Sequence, residues 1–351
     1  MKAGELLLHI GHPKTGSTTL QEIWRANHNV LRGQGVMLPL TYPGGGRAAA
    51  IAASLFGARA HGGANMQWLQ TDLAGLIERG HADWNRICEE VANDPPKTLL
   101  LSNEMLFRPM TGAKWQEVGQ VLDQVAEHKR LVAYLRAPDA MFLSSAQEIL
   151  KHVQTPGRFS RTQFKDTLVP LMKNWKGQIK LEQFDRQIMK DGDIYTDFMT
   201  KHLPFVDMDQ LDRGPAELNT SLSAEAMAVL YDLVMEHFPW HHNRRLLAQY
   251  VARLDQKLEN PTKPKLRPDA VQAVINWRGP DLFWLRDAFG ITFPSIDYDA
   301  INPDEIDSNV VQICRIEDIC AVNGDRKEEL KNRAMRRSRM PRALRRWLAK
   351  Y

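Results

Sequence analysis

Short apolar runs alternate with amphipathic stretches through the first half of the chain. Three runs are almost continuously apolar, which is typical of parallel strands covered on both faces, and a fourth alternates, which is typical of a strand nearer the edge of a sheet. The predicted strands are 6–10, 98–102, 131–135 and 179–184. Amphipathic stretches at 17–32, 113–127 and 139–152 predict helices after the first three strands. This order predicts an α/β fold with a central parallel sheet and helices on both faces.

Beyond about residue 190 the pattern becomes mostly helical. The predicted helices are 223–237, 244–257, 268–276 and 281–289. They predict a helical C-terminal extension of one domain covering residues 1–300, followed by a linker at 301–325 and a tail at 326–351. The glycine-rich stretch 38–63 is the most loop-like segment, and it is interpreted either as a substrate lid or as a surface insertion.

The composition is that of an ordinary globular protein. The 351 residues are 43% hydrophobic and 25% charged, which excludes global disorder. Three cysteines without a CxxC pair indicate neither a disulfide framework nor a cysteine-based zinc site. No apolar run approaches the roughly 18 residues of a membrane span, and no secretory cleavage pattern follows the start. We therefore expect a cytoplasmic protein.

The positive charge is concentrated in the tail. Residues 326–351 contain eleven Lys and Arg against two Glu, a net +9 in a chain whose net charge is +4, so residues 1–325 carry a net −5. The apolar residues of the tail follow helical spacing: Met340, Leu344, Trp347, Leu348 and Tyr351. Such a basic amphipathic segment predicts either peripheral association with an anionic membrane surface or a solvated tail. Nucleic-acid binding is not expected, because the body is acidic.

A glycine-bounded loop, Gly11–Gly16, separates the first predicted strand from the first helix. Backbone N–H groups and the positive end of the helix dipole converge on an anion at such a junction. Lys14 adds a full charge, and hydroxyl donors follow at Thr15, Ser17, Thr18 and Thr19. The lysine of a nucleotide triphosphatase P-loop directly follows the second glycine, whereas Lys14 precedes Gly16 by two residues. The loop is therefore predicted to bind phosphate in another way.

The sequence Pro-Lys-Thr-Gly-Ser-Thr-Thr-Leu at 13–20 resembles the 5′-phosphosulfate loop of sulfotransferases that use 3′-phosphoadenosine 5′-phosphosulfate (PAPS), and residues 9–18 are similar to the bacterial variant. The resemblance implies a three-layer, P-loop-like sulfotransferase fold over about residues 5–290. It also implies sulfuryl transfer to a hydroxyl or amine, with PAP, adenosine 3′,5′-bisphosphate, as the product. Lys14 would contact the 5′-phosphate and the bridging oxygen. The other donor contacts implied in this loop are His12, Thr15, Gly16, Ser17, Thr18 and Thr19.

A second phosphate site is indicated by Arg136 and Ser144. The resemblance leads us to expect an arginine after a strand, and a serine on the following helix, for the 3′-phosphate of the donor. Arg136 ends the strand at 131–135, and Ser144 follows eight residues later, about two turns into the next helix. An arginine at the end of a strand can direct two N–H groups onto phosphate oxygens. Without the loop at 11–16, this segment would be read as an ordinary turn.

The predicted catalytic base is Glu104. It follows the strand at 98–102, and many bacterial and carbohydrate-directed members of the resembled family carry a glutamate after this strand. The alternative interpretation is a helix-capping or solvated carboxylate. His12, His61 and His152 are rival bases.

Further contacts are predicted on both substrates. The acceptor contacts are Tyr42, His61 and His152. The donor contacts are Arg213, Asn219 and Ser221, which lie in a segment similar to one that covers the nucleotide in bacterial members of the resembled family. A turn followed by a helix N-cap at Ser223 explains this segment nearly as well.

Two other function classes stay open from the sequence. A P-loop kinase of a small substrate would hold magnesium with an Asp at the end of a neighbouring strand, and the strands at 98–102 and 131–135 lack one there. A sulfuryl group carries less negative charge than a phosphoryl group, so cationic side chains suffice without a metal. A non-catalytic, membrane-associated nucleotide-binding module is the third class. The acceptor is open among a saccharide, a glycolipid and a small alcohol.

Overall fold

A computed structural model describes residues 1–39, 54, 73–103, 106–152, 161–214, 222–236, 244–305, 315–336, 340–342 and 344–345. It confirms the predicted α/β class, because helices flank a central sheet of five parallel strands, consistent with a three-layer arrangement. The chain divides into two compact units. The first comprises Met1–Ala137, Thr162–Leu218 and Trp284–Phe293, and the second comprises Pro138–Arg161, Asn219–Phe283 and Pro294–Tyr351. The sheet lies in the first unit.

The strands of the sheet are β1 Glu5–His9, β2 Val36–Met37, β3 Thr98–Ser102, β4 Lys129–Leu135 and β5 Gln178–Gln183. Their order across the sheet is β2-β3-β1-β4-β5, so β1 is central. Leu7 of β1 pairs with Leu100 of β3, and both are fully buried, which explains why these runs are continuously apolar. The four predicted strands are confirmed to within two residues. β2 was not predicted, because two residues are too few to show a period.

The helices of the first unit begin with α1 and α2 after β1. Their bounds are α1 Ser17–Ala26, α2 His28–Gly33, α3 Leu73–Asn93, α4 Gly112–Leu122, α6 Gln163–Asn174 and α7 Ile194–His202. The prediction of one helix over 17–32 was wrong. The helix breaks at Asn27, whose side-chain amide donates to the Ile23 carbonyl at 2.8 Å and so competes with the helical backbone bonds.

The remaining helices are α5 Pro138–His152, α8 Ala224–Glu236, α9 Arg244–Asp255, α10 Pro268–Phe289, α11 Ile316–Ile319 and α12 Gly324–Met335. The predicted break between 276 and 281 was wrong, because α10 continues through Pro280. A Cβ on Gly279 would lie 2.8 Å from Ile301 and 3.0 Å from Pro303. The glycine thus allows close packing against this helix rather than ending it.

An apolar core holds the second unit together. Helices α5, α8, α9, α10, α11 and α12 contribute buried side chains to one cluster, which also includes Met340 and Leu344. Ser223 caps α8 as predicted, because its Oγ accepts from the Ala226 N–H at 3.0 Å. The basic segment 326–351 therefore begins inside a packed helix. Within the described ranges, no helix combines the length and hydrophobicity that crossing a membrane requires.

Candidate functional site

The loop between β1 and α1 contains two residues with left-handed backbone. Lys14 has φ 68° and Gly16 has φ 75°, and left-handed residues of this kind occur in the loops that present backbone N–H groups to anions. No side chain caps α1 at Gly16, and its first turn carries no acidic residue. A Cβ on Gly16 would also lie 3.0 Å from Cγ2 of Ile194. Both the left-handed conformation and the close packing favour glycine at position 16.

Hydrogen bonds attach this loop to the neighbouring strand β4. The Ile10 N–H donates to Val132 O at 2.9 Å, and the His12 N–H donates to Tyr134 O at 3.3 Å. Inside the loop, the buried Thr15 hydroxyl donates to His12 O at 2.6 Å. The Thr15 hydroxyl proton is therefore used within the loop. Ser17, Thr18 and Thr19 form the first residues of α1, where their backbone N–H groups begin the helix.

Arg136 joins the end of β4 to the same loop. Its guanidinium donates to Lys14 O at 2.7 Å, and its backbone N–H donates to His12 Nδ1 at 3.3 Å. The guanidinium also lies 5.5 Å from the ring centre of Phe184, which follows β5. The structure thus brings together two cationic residues, Lys14 and Arg136, that are 122 positions apart in the chain.

The imidazole of His12 lies in the protein interior. It is fully buried, with its ring centre 5.1 Å from that of Phe107 and 5.2 Å from that of Phe164. Its Nδ1 accepts the Arg136 N–H, as described above. His12 therefore packs beneath the loop and aligns the end of β4, and its predicted contact with a donor stays a prediction.

Arg213 lies beside the start of α7. It pairs with Asp193 and donates to the Thr196 hydroxyl at 2.9 Å, and it lies 4.7 Å from the ring centre of Tyr195. Asp193 caps α7 by accepting from the Thr196 N–H at 2.8 Å. The next residue, Ile194, lies against Gly16 of the loop, because a Cβ on Gly16 would be 3.0 Å from its Cγ2. Arg213 is therefore connected to the loop only indirectly, through Asp193 and the start of α7, and its predicted contact with the donor stays a prediction.

Several predicted site residues lie beyond what the structure describes. Those outside the described residues are Tyr42, His61, Glu104, Asn219 and Ser221. His152 is the last residue of α5, and its side chain is also outside the described part. Ser144 lies on α5 in the second unit and is partly exposed, whereas Arg136 belongs to the first unit. The pairing of Arg136 with Ser144 stays a prediction.

A scan against family models and searches of curated proteins and of solved structures found no match to this chain. Among the residues that the structure describes, no three His, Cys, Asp or Glu side chains are grouped so that they could hold a metal ion.

A buried polar chain beside the loop was missed by the sequence reasoning. Ser102 Oγ, at the end of β3, lies 2.9 Å from His9 Nδ1 and accepts from Gln21 Nε2 at 3.0 Å. All three side chains are buried. The available signal was a histidine and a serine ending two strands that are otherwise apolar. Nothing in the sequence indicates that these two side chains meet.

Two neutral histidines lie in the apolar layer under the site. Burial lowers the pKa of His9 to about 4, and burial, with smaller effects from Arg130, His9 and Lys201, lowers the pKa of His202 to about 3. The ring of Phe198 lies between them, with its centre 5.4 Å from His9 and 4.9 Å from His202. Glu182 Oε1 is 3.9 Å from His202 Nε2, which is too far for a hydrogen bond.

These histidines make the fold sensitive to acid. Both pKa values fall below the ordinary 6.5, so the unfolded chain takes up protons first. Their contribution to stability is complete above about pH 6.5 and is lost as the pH falls towards 4 and 3. We expect His9→Asn, which keeps an acceptor near Nδ1, to remove about 2–3 kcal/mol of the stability lost between pH 7 and 4.5. Urea unfolding at both pH values measures this, with exposed His81→Asn as the control. Equal pH slopes for His9→Asn and wild type would contradict it.

Proposed function

We propose that this chain is a PAPS-dependent sulfotransferase with a P-loop-like fold. The observation that carries the proposal is the left-handed pair Lys14 and Gly16 after the central strand, with Arg136 bonded to the Lys14 carbonyl. Because the chain passes from β3 to β4 across β1, this loop lies where the strand order reverses, which is the usual ligand position in open parallel sheets.

The loop supplies the binding groups for the 5′ end of the donor. N–H groups of the loop and of the first turn of α1 hold the 5′-phosphate, and Lys14 stabilises the charge that develops on the bridging oxygen. PAPS supplies an activated sulfuryl group when bound. The 3′-phosphate is proposed to be contacted by Arg136, whose guanidinium donates to Lys14 O, and by Ser144.

The acceptor side depends on the carboxyl end of β3. Glu104, two residues beyond that strand in the sequence, is proposed to take the proton from the acceptor hydroxyl during in-line attack. The acceptor class stays open among saccharides, glycolipids and small alcohols. Peripheral membrane association of the tail also stays a prediction. Beyond α12, the exposed basic residues of the tail that the structure describes are Arg336, Arg342 and Arg345.

Calorimetry with PAP and with ATP tests the proposed donor. We expect PAP to bind without added metal and at least about tenfold more tightly than ATP with magnesium, a difference of about 1.4 kcal/mol. Arg136→Ala should weaken PAP binding, whereas Arg186→Ala, at an exposed arginine of the same unit, should not.

Three outcomes separate the function classes. Tight magnesium-dependent ATP binding without PAP binding would contradict the proposal and favour a small-substrate kinase. PAP binding without any cleavage of PAPS would favour a non-catalytic nucleotide-binding module. PAP binding with PAPS cleavage would support the sulfotransferase.

A further inference from the structure

Ser102 occupies the junction of three elements around the proposed donor site. It ends β3, its hydroxyl contacts His9 at the end of β1, and the same hydroxyl accepts from Gln21 on α1. The exposed fraction is 0% for His9 and Ser102 and 4% for Gln21. The groups that bond to one another here would each cost about 1–3 kcal/mol if they were buried without a partner, so their mutual bonds stabilise the packing of the three elements.

The Gln21 amide donates to Ser102 Oγ at 3.0 Å, and the same oxygen lies 2.9 Å from His9 Nδ1. Because a hydroxyl can donate one hydrogen bond and accept two, Ser102 can bond to His9 in either tautomer of the imidazole. His9 Nε2 has no hydrogen-bond partner, and the ring meets Trp24 and Phe198 edge to face.

The chain holds the end of β3 to both ends of the phosphate loop. His9 ends β1, two residues before Gly11 at the start of the loop, and Gln21 lies on α1, the helix that follows the loop. The Asn103 N–H adds a backbone bond to His9 O at 2.9 Å. The imidazole also lies against Gly11, because a Cβ there would be 3.5 Å from its Nε2. Movement of β3 relative to the loop would break these contacts together.

We propose that Ser102, held by Gln21 and His9, is a positioning residue that sets the carboxyl end of β3 against the phosphate loop. The inference rests on the proposed function, in which the acceptor-side base follows β3 and the donor lies in the loop. Ser102 is fully buried, so its proposed effect is on the alignment of β3 and not through contact with a substrate. It fixes the distance between the acceptor side and the donor side, and misplacing reacting groups by about 1 Å lowers rates by about 10²-fold.

Ser102→Ala tests the inference with two readouts. We expect the rate of PAPS cleavage, followed as PAP release with water as the acceptor, to fall by about 10-fold to 100-fold. The dissociation constant for PAP should change by less than about twofold, because the loop's own N–H groups and Lys14 are intact. Hydrogen exchange of the Asn103 amide should accelerate, since its bond to His9 O reports the alignment of the strand end.

Two further variants separate positioning from loss of stability. Gln21→Met removes the donor to Ser102 at nearly unchanged volume and should give the same pattern, and Ser102→Thr keeps the hydroxyl and should restore most of the rate. Tyr134→Phe is the matched control. It removes a buried hydroxyl bonded to Asp197 at 2.6 Å in the same unit, so it should lower the melting temperature and leave the rate unchanged.

The failure of this inference differs from the failure of the proposed function. A wild-type chain that binds no PAP and cleaves no PAPS overturns both. A wild-type chain that does both, beside a Ser102→Ala variant with unchanged rate and unchanged Asn103 exchange, overturns only the positioning role. The positioning role alone is also overturned if Ser102→Ala and Tyr134→Phe lower the melting temperature equally and Ser102→Ala loses no more rate than Tyr134→Phe.

Discussion

Lys14→Met is expected to lower the rate of PAPS cleavage by about 10²-fold to 10³-fold, the usual effect of losing one group that stabilises developing charge. Methionine keeps the length of the side chain and removes the charge. Both residues carry a Cβ, so the left-handed backbone at position 14, with φ 68°, is equally strained in the variant. PAPS binding should weaken far less than the rate, because the bridging oxygen gains most of its charge during transfer, whereas PAP binding should weaken markedly, because that oxygen is already a charged oxygen of the 5′-phosphate in PAP. Steady-state kinetics and calorimetry together separate the two effects.

The matched control for this variant is Lys173→Met on α6. Lys173 is exposed and lies in the same unit as the loop, so it changes the net charge by the same amount away from the site. Its rate should equal that of the wild type. Equal rates for Lys14→Met and Lys173→Met would contradict the assignment of Lys14 to the leaving group.

Arg326→Met is expected to destabilise the second unit by about 3–5 kcal/mol, because it leaves buried carboxylates without their cation. The Arg326 side chain is 6% exposed and forms ion pairs with Glu225 at 3.0 Å and Asp255 at 2.7 Å. Its other acceptors are the Ser223 hydroxyl and the carbonyls of Asp255, Leu258 and Glu259. Hydrogen exchange of the α8 amides and urea unfolding measure the loss.

Arg333→Met on the same helix is the control for Arg326→Met. Arg333 pairs with Glu329 one turn away, and the two side chains are 32% and 52% exposed, so its removal should change stability by less than about 1 kcal/mol. Equal effects of the two substitutions would contradict the structural role of Arg326.

The packing of α12 into the core of the second unit determines which variants can test the predicted membrane binding of the tail. A chain truncated at 326 would lose Leu330 and Ala334, which are core residues. Substitutions at Arg336, Arg342 and Arg345 alter the exposed charge without removing the core.

The local sequence pattern was sufficient to predict the strands that are buried on both faces. The apolar runs of β1, β3 and β4 are covered on both faces, so every position is apolar and the strands are visible in the sequence. The glycines around Lys14 placed the loop correctly between a strand and a helix, because left-handed backbone and close packing both favour glycine at position 16. Pattern failed at α10, which continues through Gly279 and Pro280 although both residue types usually end a helix. Gly279 lies close to Ile301 and Pro303, a contact that no local pattern reports.

The sequence by itself therefore determined the α/β class, four of the strands and the position of the glycine-bounded loop between β1 and α1. Tertiary structure alone decided that Arg136 bonds to the Lys14 carbonyl, that Arg326 is a core cation and that Ser102 meets His9. These contacts join residues 122, 101 and 93 positions apart, the second being the separation of Arg326 from Glu225. Local propensity depends on neighbours within a few residues, whereas these contacts depend on how the strands and helices pack, so no local pattern reports them.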